Sequence, residues 1–446
     1  MTRSFDLLLK GGTVVNHEGR TLRDIGIADG RIAALGDLSR ASAGRTIECG
    51  GLHVLPGVID TQVHFREPGL TDKEDLESGS RAAVLGGVTA VFEMPNTDPQ
   101  TVTAEALADK VSRAQGRMHC DFAFWVGGTR ENAADVPELE RLPAAAGIKV
   151  FMGSSTGSLL LEDDAGVADV LRRTRRRAAF HSEDEGLLRE RKSLRVEGDP
   201  RSHPVWRSPE VALACTERLL RIARAEGARI HVLHVTTAEE MTLLAGHKEV
   251  ASVEVTPHHL TLVAPDAYER LGSFAQMNPP VRDERHRRAL WDGLSQGVVD
   301  VLGSDHAPHT RAEKEGVYPN TPSGMTGVQT LVPLMLDHVS NGRLTLERFV
   351  DLTSAGPQRL FGIARKGRLA VGYDADLTVV DLKGRETITD RWIASRCGWT
   401  PYDGVTVTGW PVGTLVRGRV AMWDGEVVEP SVGEPVRFAE ALQPDG

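Results

Sequence analysis

The stretch Val54-Leu55-Pro56-Gly57-Val58-Ile59-Asp60-Thr61-Gln62-Val63-His64-Phe65-Arg66-Glu67-Pro68-Gly69 decides how this chain is read. The apolar run over 54–59 reads as a buried strand, which gives way to Asp60, Gln62, His64 and Arg66 before a Pro-Gly turn. Side chains two apart on a strand share a face. Gln62, His64 and Arg66 are therefore expected to point together into whatever lies beyond the strand end. An imidazole beside a guanidinium suits a metal ligand next to an anchor for an anionic substrate. The plain alternative is a strand with a polar exit turn.

Downstream, the same texture recurs. Strands are predicted at 54–62, 88–94, 121–127, 147–152, 178–182, 230–235, 251–256 and 299–305, with helical patterns between most of them, as at 72–85, 103–114, 209–225 and 238–246. Eight strands with intervening helices over about 250 residues predict a (β/α)8 TIM barrel. A doubly wound sheet is the competitor, but no glycine-rich phosphate loop stands at the first turn. Polar residues cluster at the strand ends: Asn96 after the second, Lys149 in the fourth, then His181, His234 and Asp305. In a barrel these ends meet at one face.

Both termini differ from this middle. Residues 5–50 and the stretches 372–381 and 413–420 are short β-prone segments at close spacing. They predict one small β-sandwich built from both ends, over 1–52 and 365–446, flanking a barrel over 53–364.

Bulk properties narrow the class. Hydrophobic content of 40% and charged content of 26% are ordinary for a globular chain. A net charge of −10 argues against nucleic-acid or anionic-membrane partners, though not against a small anionic substrate. Cys49, Cys120, Cys215 and Cys397 are far apart and read as buried thiols of a reducing compartment. Leu7-Leu8-Leu9 is too short for a signal or a membrane span. A cytoplasmic enzyme is the expectation.

Lys149 lies in the apolar run Gly147-Ile148-Lys149-Val150-Phe151-Met152 with no acidic neighbour. Burying an ammonium without a partner is costly. Such a lysine is neutral, paired with a distant acid, or converted by CO₂ to an anionic carbamate; otherwise it is an edge lysine snorkelling to solvent. His181 and His234 each follow an apolar strand, where a lone histidine is more often a satisfied core residue than a ligand. Jointly, His64, Lys149, His181, His234 and Asp305 supply N and O donors without thiolate, which suits zinc or a similar divalent ion in a hydrolytic site.

These segments resemble the amidohydrolase superfamily, and within it the dihydroorotases. The likeness runs through His64-Phe65-Arg66-Glu67-Pro68-Gly69, Met94-Pro95-Asn96-Thr97, Lys149, His181, His234, Glu254-Val255-Thr256-Pro257-His258-His259, Asn278-Pro279-Pro280-Val281-Arg282 and Ser304-Asp305-His306-Ala307-Pro308-His309. It continues through 367–376, which resembles the family's return strand into the sandwich. The resemblance implies that His64, His181, His234 and Asp305 are metal ligands and that Lys149 is an N6-carboxylysine, holding one or two Zn²⁺. It implies that Arg66, Asn96 and His309 hold a substrate carboxylate, that Asn278 contacts the pyrimidine ring, and that Ser323-Gly324 offers a backbone contact. His258 and His259 match a family motif without an assigned role.

One position departs from the family pattern, His-x-His, which here is Gln62-Val63-His64. An amide oxygen is a much weaker zinc ligand than imidazole, so the two-metal count is open while the Lys149, His181 and His234 position is intact.

The activity implied is reversible hydrolysis of (S)-dihydroorotate to N-carbamoyl-L-aspartate, a step of pyrimidine (UMP) biosynthesis. A metal-activated hydroxide would attack, with Asp305 as general acid/base. Allantoinase or hydantoinase is the nearest alternative, but neither has a ring carboxylate for Arg66 to hold. A silent structural relative is a further alternative, though such chains typically lose several ligands together. The family makes a homodimer the expected assembly.

Overall fold

The computed structural model describes residues 4–155, 157–428 and 430–441. Eight parallel strands form the barrel wall in sequential order: β6 (Val58–Val63), β7 (Val88–Glu93), β8 (Asp121–Gly127), β9 (Ala145–Phe151), β10 (Ala178–His181), β11 (Ile230–Val232), β12 (Ala251–Val255) and β13 (Val301–Leu302). Every residue of these strands is buried, as expected of parallel strands covered on both faces. The wall closes where His64 N–H donates to His306 O at 2.7 Å. Helices on the outside begin where the sequence supplies caps. Asp75 and Ser78 form a capping box for Leu76–Leu85, and Thr103 and Thr237 cap Ala104–Ala114 and Ala238–Ala245.

The chain's two ends join in one mixed sheet. β1 (Ser4–Asn16), β2 (Gly19–Ala28), β3 (Arg31–Gly36) and β4 (Ser42–Glu48) meet β14 (Leu377–Thr387), β15 (Thr406–Val416), β16 (Arg419–Trp423) and β17 (Glu426–Val427) through β5 (His53–Pro56). β5 pairs with β1 on one side and with β14 on the other. The fold is thus a TIM barrel carrying a β-sandwich domain formed by both termini.

Two boundaries differ from the sequence reading. The run read as one strand over 54–62 is two strands that serve different sheets, split at Gly57. A Cβ on Gly57 would stand 2.2 Å from Thr89 Oγ1, so only glycine permits that close crossing. The last described residues also leave the terminal sheet and return to the barrel. Val436 N–H donates to Phe122 O at 2.8 Å, and the Phe438 ring lies 5.9 Å from that of Phe92. Among the described residues no helix is long and apolar enough to cross a membrane.

Candidate active site

At the C-terminal end of the barrel strands one cavity is lined by Gln62, His64, Arg66, Asn96, Lys149, His181, His234, Asn278, Asp305, Ser323 and Gly324. Residues drawn from 62 to 324 in sequence meet there because the strand ends converge. The convergence is not purely a matter of strand alternation. β6 stops at Val63, and Arg66 reaches the cavity through a left-handed turn at φ 64°. His234 (φ 37°) and Asp305 (φ 48°) also occupy this region, which costs a non-glycine residue about 1–3 kcal/mol. Strained backbone thus aims three of the site's side chains.

His64 Nδ1 lies 2.8 Å from Asn96 Oδ1 and donates to it, which leaves the Nε2 lone pair facing Asp305 Oδ1 at 3.3 Å. Burial holds the His64 pKa down at about 4, so the ring is neutral and two electron-rich atoms face each other. His181 is likewise fixed through one ring nitrogen. Its Nε2 donates to Glu183 Oε2 at 3.0 Å, and Nδ1 faces His234 Nε2 at 3.1 Å. Glu183 is held ionised well below the usual carboxylate range: Arg207 and His181 outweigh the effect of its burial. His234 Nδ1 and Gln62 Oε1 are buried without a hydrogen-bond partner, while Gln62 Nε2 donates to Asp305 Oδ1 at 3.1 Å. The His64 Nε2 lone pair against Asp305, the His181 Nδ1 lone pair and the unpartnered Gln62 Oε1 fit a cation among them.

Lys149 completes this set. It is 1% exposed, its Nζ lies 4.4 Å from the Phe151 ring centroid, and it has no ion-pair or hydrogen-bond partner among the described residues. Burial pushes its pKa down to about 7, with Asp305 and Glu254 offsetting only part of that. Among the described residues no three His, Cys, Asp or Glu side chains alone form a metal-holding cluster. The donor set is complete only if Lys149 joins it.

The cavity's opposite wall is cationic. Arg66 is 1% exposed and stays charged, its pKa lowered by burial only to about 10. Its Nε donates to Pro308 O at 3.2 Å, and Nη1 is buried without a partner. His309 stands behind it rather than on the cavity surface: its Nε2 donates to Ser323 O at 3.1 Å and lies 3.3 Å from Arg66 Nη2. Asn278 Oδ1 accepts from His203 Nε2 at 3.0 Å. Asn96 also borders an adjoining cleft of about 950 Å³ lined in part by Thr97, Gly157 and Ser158. His258 and His259 bond to Tyr402 and to Pro279 O, in the packing behind the site.

Sequence reasoning missed Phe151 and Ser155 in the cavity lining and Glu183 behind His181. Phe151 and Glu183 each follow a named site residue by two positions, so strand alternation carried the signal. Arg207, whose guanidinium pairs with Glu183 and donates to Ser154 O at 2.8 Å, comes from a helix end and left no local signal.

A polar-mouthed (β/α)8 barrel that gathers imidazoles, a lone buried lysine and an aspartate at its strand ends defines a barrel enzyme. The amidohydrolase family model matches residues 53–421, and the chain belongs to that family. It is 39% identical over 435 residues to a dihydroorotase of Halobacterium salinarum, covering 94% of this chain and all of that one. It is 34% identical to an L-hydantoinase of Paenarthrobacter aurescens, over 96% and 97% of the two chains. Among solved structures, the L-hydantoinase (dihydropyrimidinase) of Arthrobacter aurescens superposes with a TM-score of 0.92 at 32% identity, covering 97% of this chain and 99% of that one.

Proposed function

We propose that the chain catalyses the reversible hydrolysis of (S)-dihydroorotate to N-carbamoyl-L-aspartate, the reaction of its dihydroorotase relatives. Sequence likeness reaches both dihydroorotases and hydantoinases, so the site must arbitrate. The observation that carries the reading is Arg66, a fully buried guanidinium whose Nη1 has no partner beside Asn96. A buried cation with an idle donor calls for an anion, and guanidinium matches carboxylate in bidentate fashion. Dihydroorotate carries a ring carboxylate; hydantoin and dihydrouracil do not.

The residues present suit a zinc ion held by Lys149 as its carbamate with His181 Nδ1 and His234 Nε2. His64 and Asp305 would serve a second ion that Gln62 supports weakly. When bound, a divalent cation polarises the ring carbonyl and lowers the pKa of a coordinated water toward neutrality. Asp305 takes the proton as the water attacks and returns it to the leaving ring nitrogen. Arg66 and Asn96 fix the ring through its carboxylate, and Asn278 and the Ser323-Gly324 backbone border the ring itself. Glu183, paired with Arg207, fixes the tautomer of His181. A cytoplasmic homodimer completes the proposal, its mass measurable by light scattering.

The test compares the unmodified enzyme on dihydroorotate, hydantoin and dihydrouracil. Only dihydroorotate is expected to turn over well. Arg66→Ala should lower kcat/KM on it by the equivalent of roughly 2–5 kcal/mol, about 30- to several-thousand-fold, with metal content unchanged. Equal hydrolysis of hydantoin by the unmodified enzyme removes the carboxylate argument.

A further inference from the structure

Lys314 is buried, lies outside the cavity, and pairs with no carboxylate among the described residues. It ends the short helix Arg311–Lys314 that follows His309, and its Nζ lies 5.7 Å from the Trp399 ring centroid. The ammonium donates to three backbone carbonyls: Pro322 O at 2.9 Å, Gly324 O at 3.0 Å and Gln276 O at 3.3 Å. Burial lowers the Lys314 pKa to about 7, and in the protonated amine each of the three N–H donors has its own acceptor.

Those carbonyls belong to two segments that wall the cavity, one leading to Asn278 and the other containing Ser323 and Gly324. The segments are also tied to each other, because Gly324 N–H donates to Gln276 O at 2.8 Å. Gly324 sits at φ 151°, where a Cβ would stand 2.2 Å from Ala307 O, so its backbone is pressed against the strand-end segment that carries Asp305. The intervening carbonyl, Ser323 O, accepts from His309 Nε2. Three successive carbonyls, 322 to 324, are therefore all engaged by side chains outside the cavity lining. Lone pairs on that wall would repel a carboxylate held on Arg66, and these are turned to other partners.

We infer that Lys314 is a positioning residue for the anionic end of the substrate. It fixes the 322 and 324 carbonyls away from the cavity, so that the cavity lined by Arg66 accepts a carboxylate. The inference rests on the carboxylate-bearing substrate proposed above, and it adds a residue that touches neither substrate nor metal.

Lys314→Met keeps the side-chain length and removes the three donors. It is expected to raise KM for dihydroorotate about tenfold or more, the equivalent of one or two net hydrogen bonds, with kcat within about threefold and metal content unchanged. A merely structural role predicts fewer active molecules, hence lower kcat at unchanged KM, and that result overturns the inference. If Lys314→Met does not fold, Thr321→Val decides. It removes the 2.5 Å bond from Thr321 Oγ1 to Gln276 Oε1 that ties the same two segments, with no change in buried charge. It should raise KM about threefold, and an unchanged KM overturns the inference. An unmodified enzyme that ignores dihydroorotate overturns the proposed function and this inference together. A wild-type KM in the variant of an active enzyme overturns this inference alone.

Discussion

Lys149 and Lys366 are both buried, at 1% and 4% exposure, and they keep opposite company. Lys366 sits where the barrel meets the terminal sheet, with Asp121 and Asp376 each 2.6 Å from its Nζ and Asp374 at 3.7 Å. Burial alone would lower its pKa, but the three carboxylates outweigh that and raise it. Lys149, at the barrel mouth, has no ion-pair partner among the described residues, and burial pushes it down to about 7 although Asp305 and Glu254 offset part of that. The same contrast holds for other buried polar groups. At the mouth, Gln62 Oε1, Arg66 Nη1 and His234 Nδ1 lack partners; at the junction, Asp121 is shared between Lys366 and Arg417. Burial by itself does not mark a functional group. Unpartnered buried atoms also occur elsewhere, as at His53 Nδ1 and Arg177 Nε; what marks the mouth is that several converge on one cavity, an arrangement that costs stability and that a ligand or cation would relieve.

The largest effect expected from this contrast is at Lys149. Lys149→Ala should lose metal and activity together, because the donor set around His181 and His234 is incomplete without the proposed carbamate. Short-chain carboxylates are expected to restore part of the activity by filling the vacated space. Full metal content in the variant, read by elemental analysis after gel filtration, would dismiss the carbamate.

Lys366→Met should do the reverse. It leaves buried carboxylates short of their cation, and breaking a buried pair costs roughly 3–5 kcal/mol. Urea unfolding should show that loss, while turnover per folded molecule stays at the wild-type value. A variant as stable as the wild type would mean that the junction tolerates uncompensated charge, and the contrast between the two lysines would collapse.

How much of this was legible in the sequence follows from the same physics. The mouth was readable because its residues end apolar strands that a barrel brings to one face; each polar group alone had a bland explanation, and only their convergence outweighed it. Gln62, His64 and Arg66 were placed on one face by alternation, although Arg66 arrives by a left-handed turn instead. The junction was not readable. The break at Gly57 is dictated by Thr89, a residue whose approach exists only once β6 and β7 pair. The return of residues 432–438 to the barrel base looks in sequence like one more short strand of the terminal sheet. Arg207 and Lys314 act from helix ends remote in sequence, where an arginine or a lysine is usually a solvated surface residue.

A smaller effect is expected at a buried histidine outside the mouth, whose Nε2 also lacks a hydrogen-bond partner. His231 bonds through Nδ1 to Ser252 Oγ at 2.8 Å, and burial holds its pKa at about 3 against 6.5 for an unperturbed histidine. Between those values the unfolded chain binds the proton and the folded chain does not, so stability rises with pH across that window. The contribution is complete above pH 6.5 and is lost at about 1.4 kcal/mol per unit as the solution is acidified toward pH 3. From pH 7 to pH 5, wild type should lose about 2 kcal/mol more than His231→Gln, which has no group titrating there. Parallel losses in the two proteins would show that His231 is not held neutral by the fold.

The smallest effect on turnover is expected at Gln62, which is half satisfied: Nε2 bonds Asp305 and Oε1 has no partner. An amide oxygen is neutral and donates weakly to zinc, whereas a neutral imidazole is a common zinc ligand. The protein as purified should therefore hold one metal tightly, at the Lys149, His181 and His234 position, and a second weakly or not at all. Gln62→His replaces the amide with an imidazole and frees Asp305 Oδ1 from the Gln62 hydrogen bond, so occupancy should rise toward two per chain. Turnover should change by less than about tenfold, because Asp305 keeps its proposed proton-transfer role and loses only an orienting bond. Elemental analysis of both proteins after equilibration with limiting zinc reads the count. Two tightly held metals in the unmodified protein would show that the amide ligates as well as imidazole, and Gln62 would then belong with the satisfied groups of the junction.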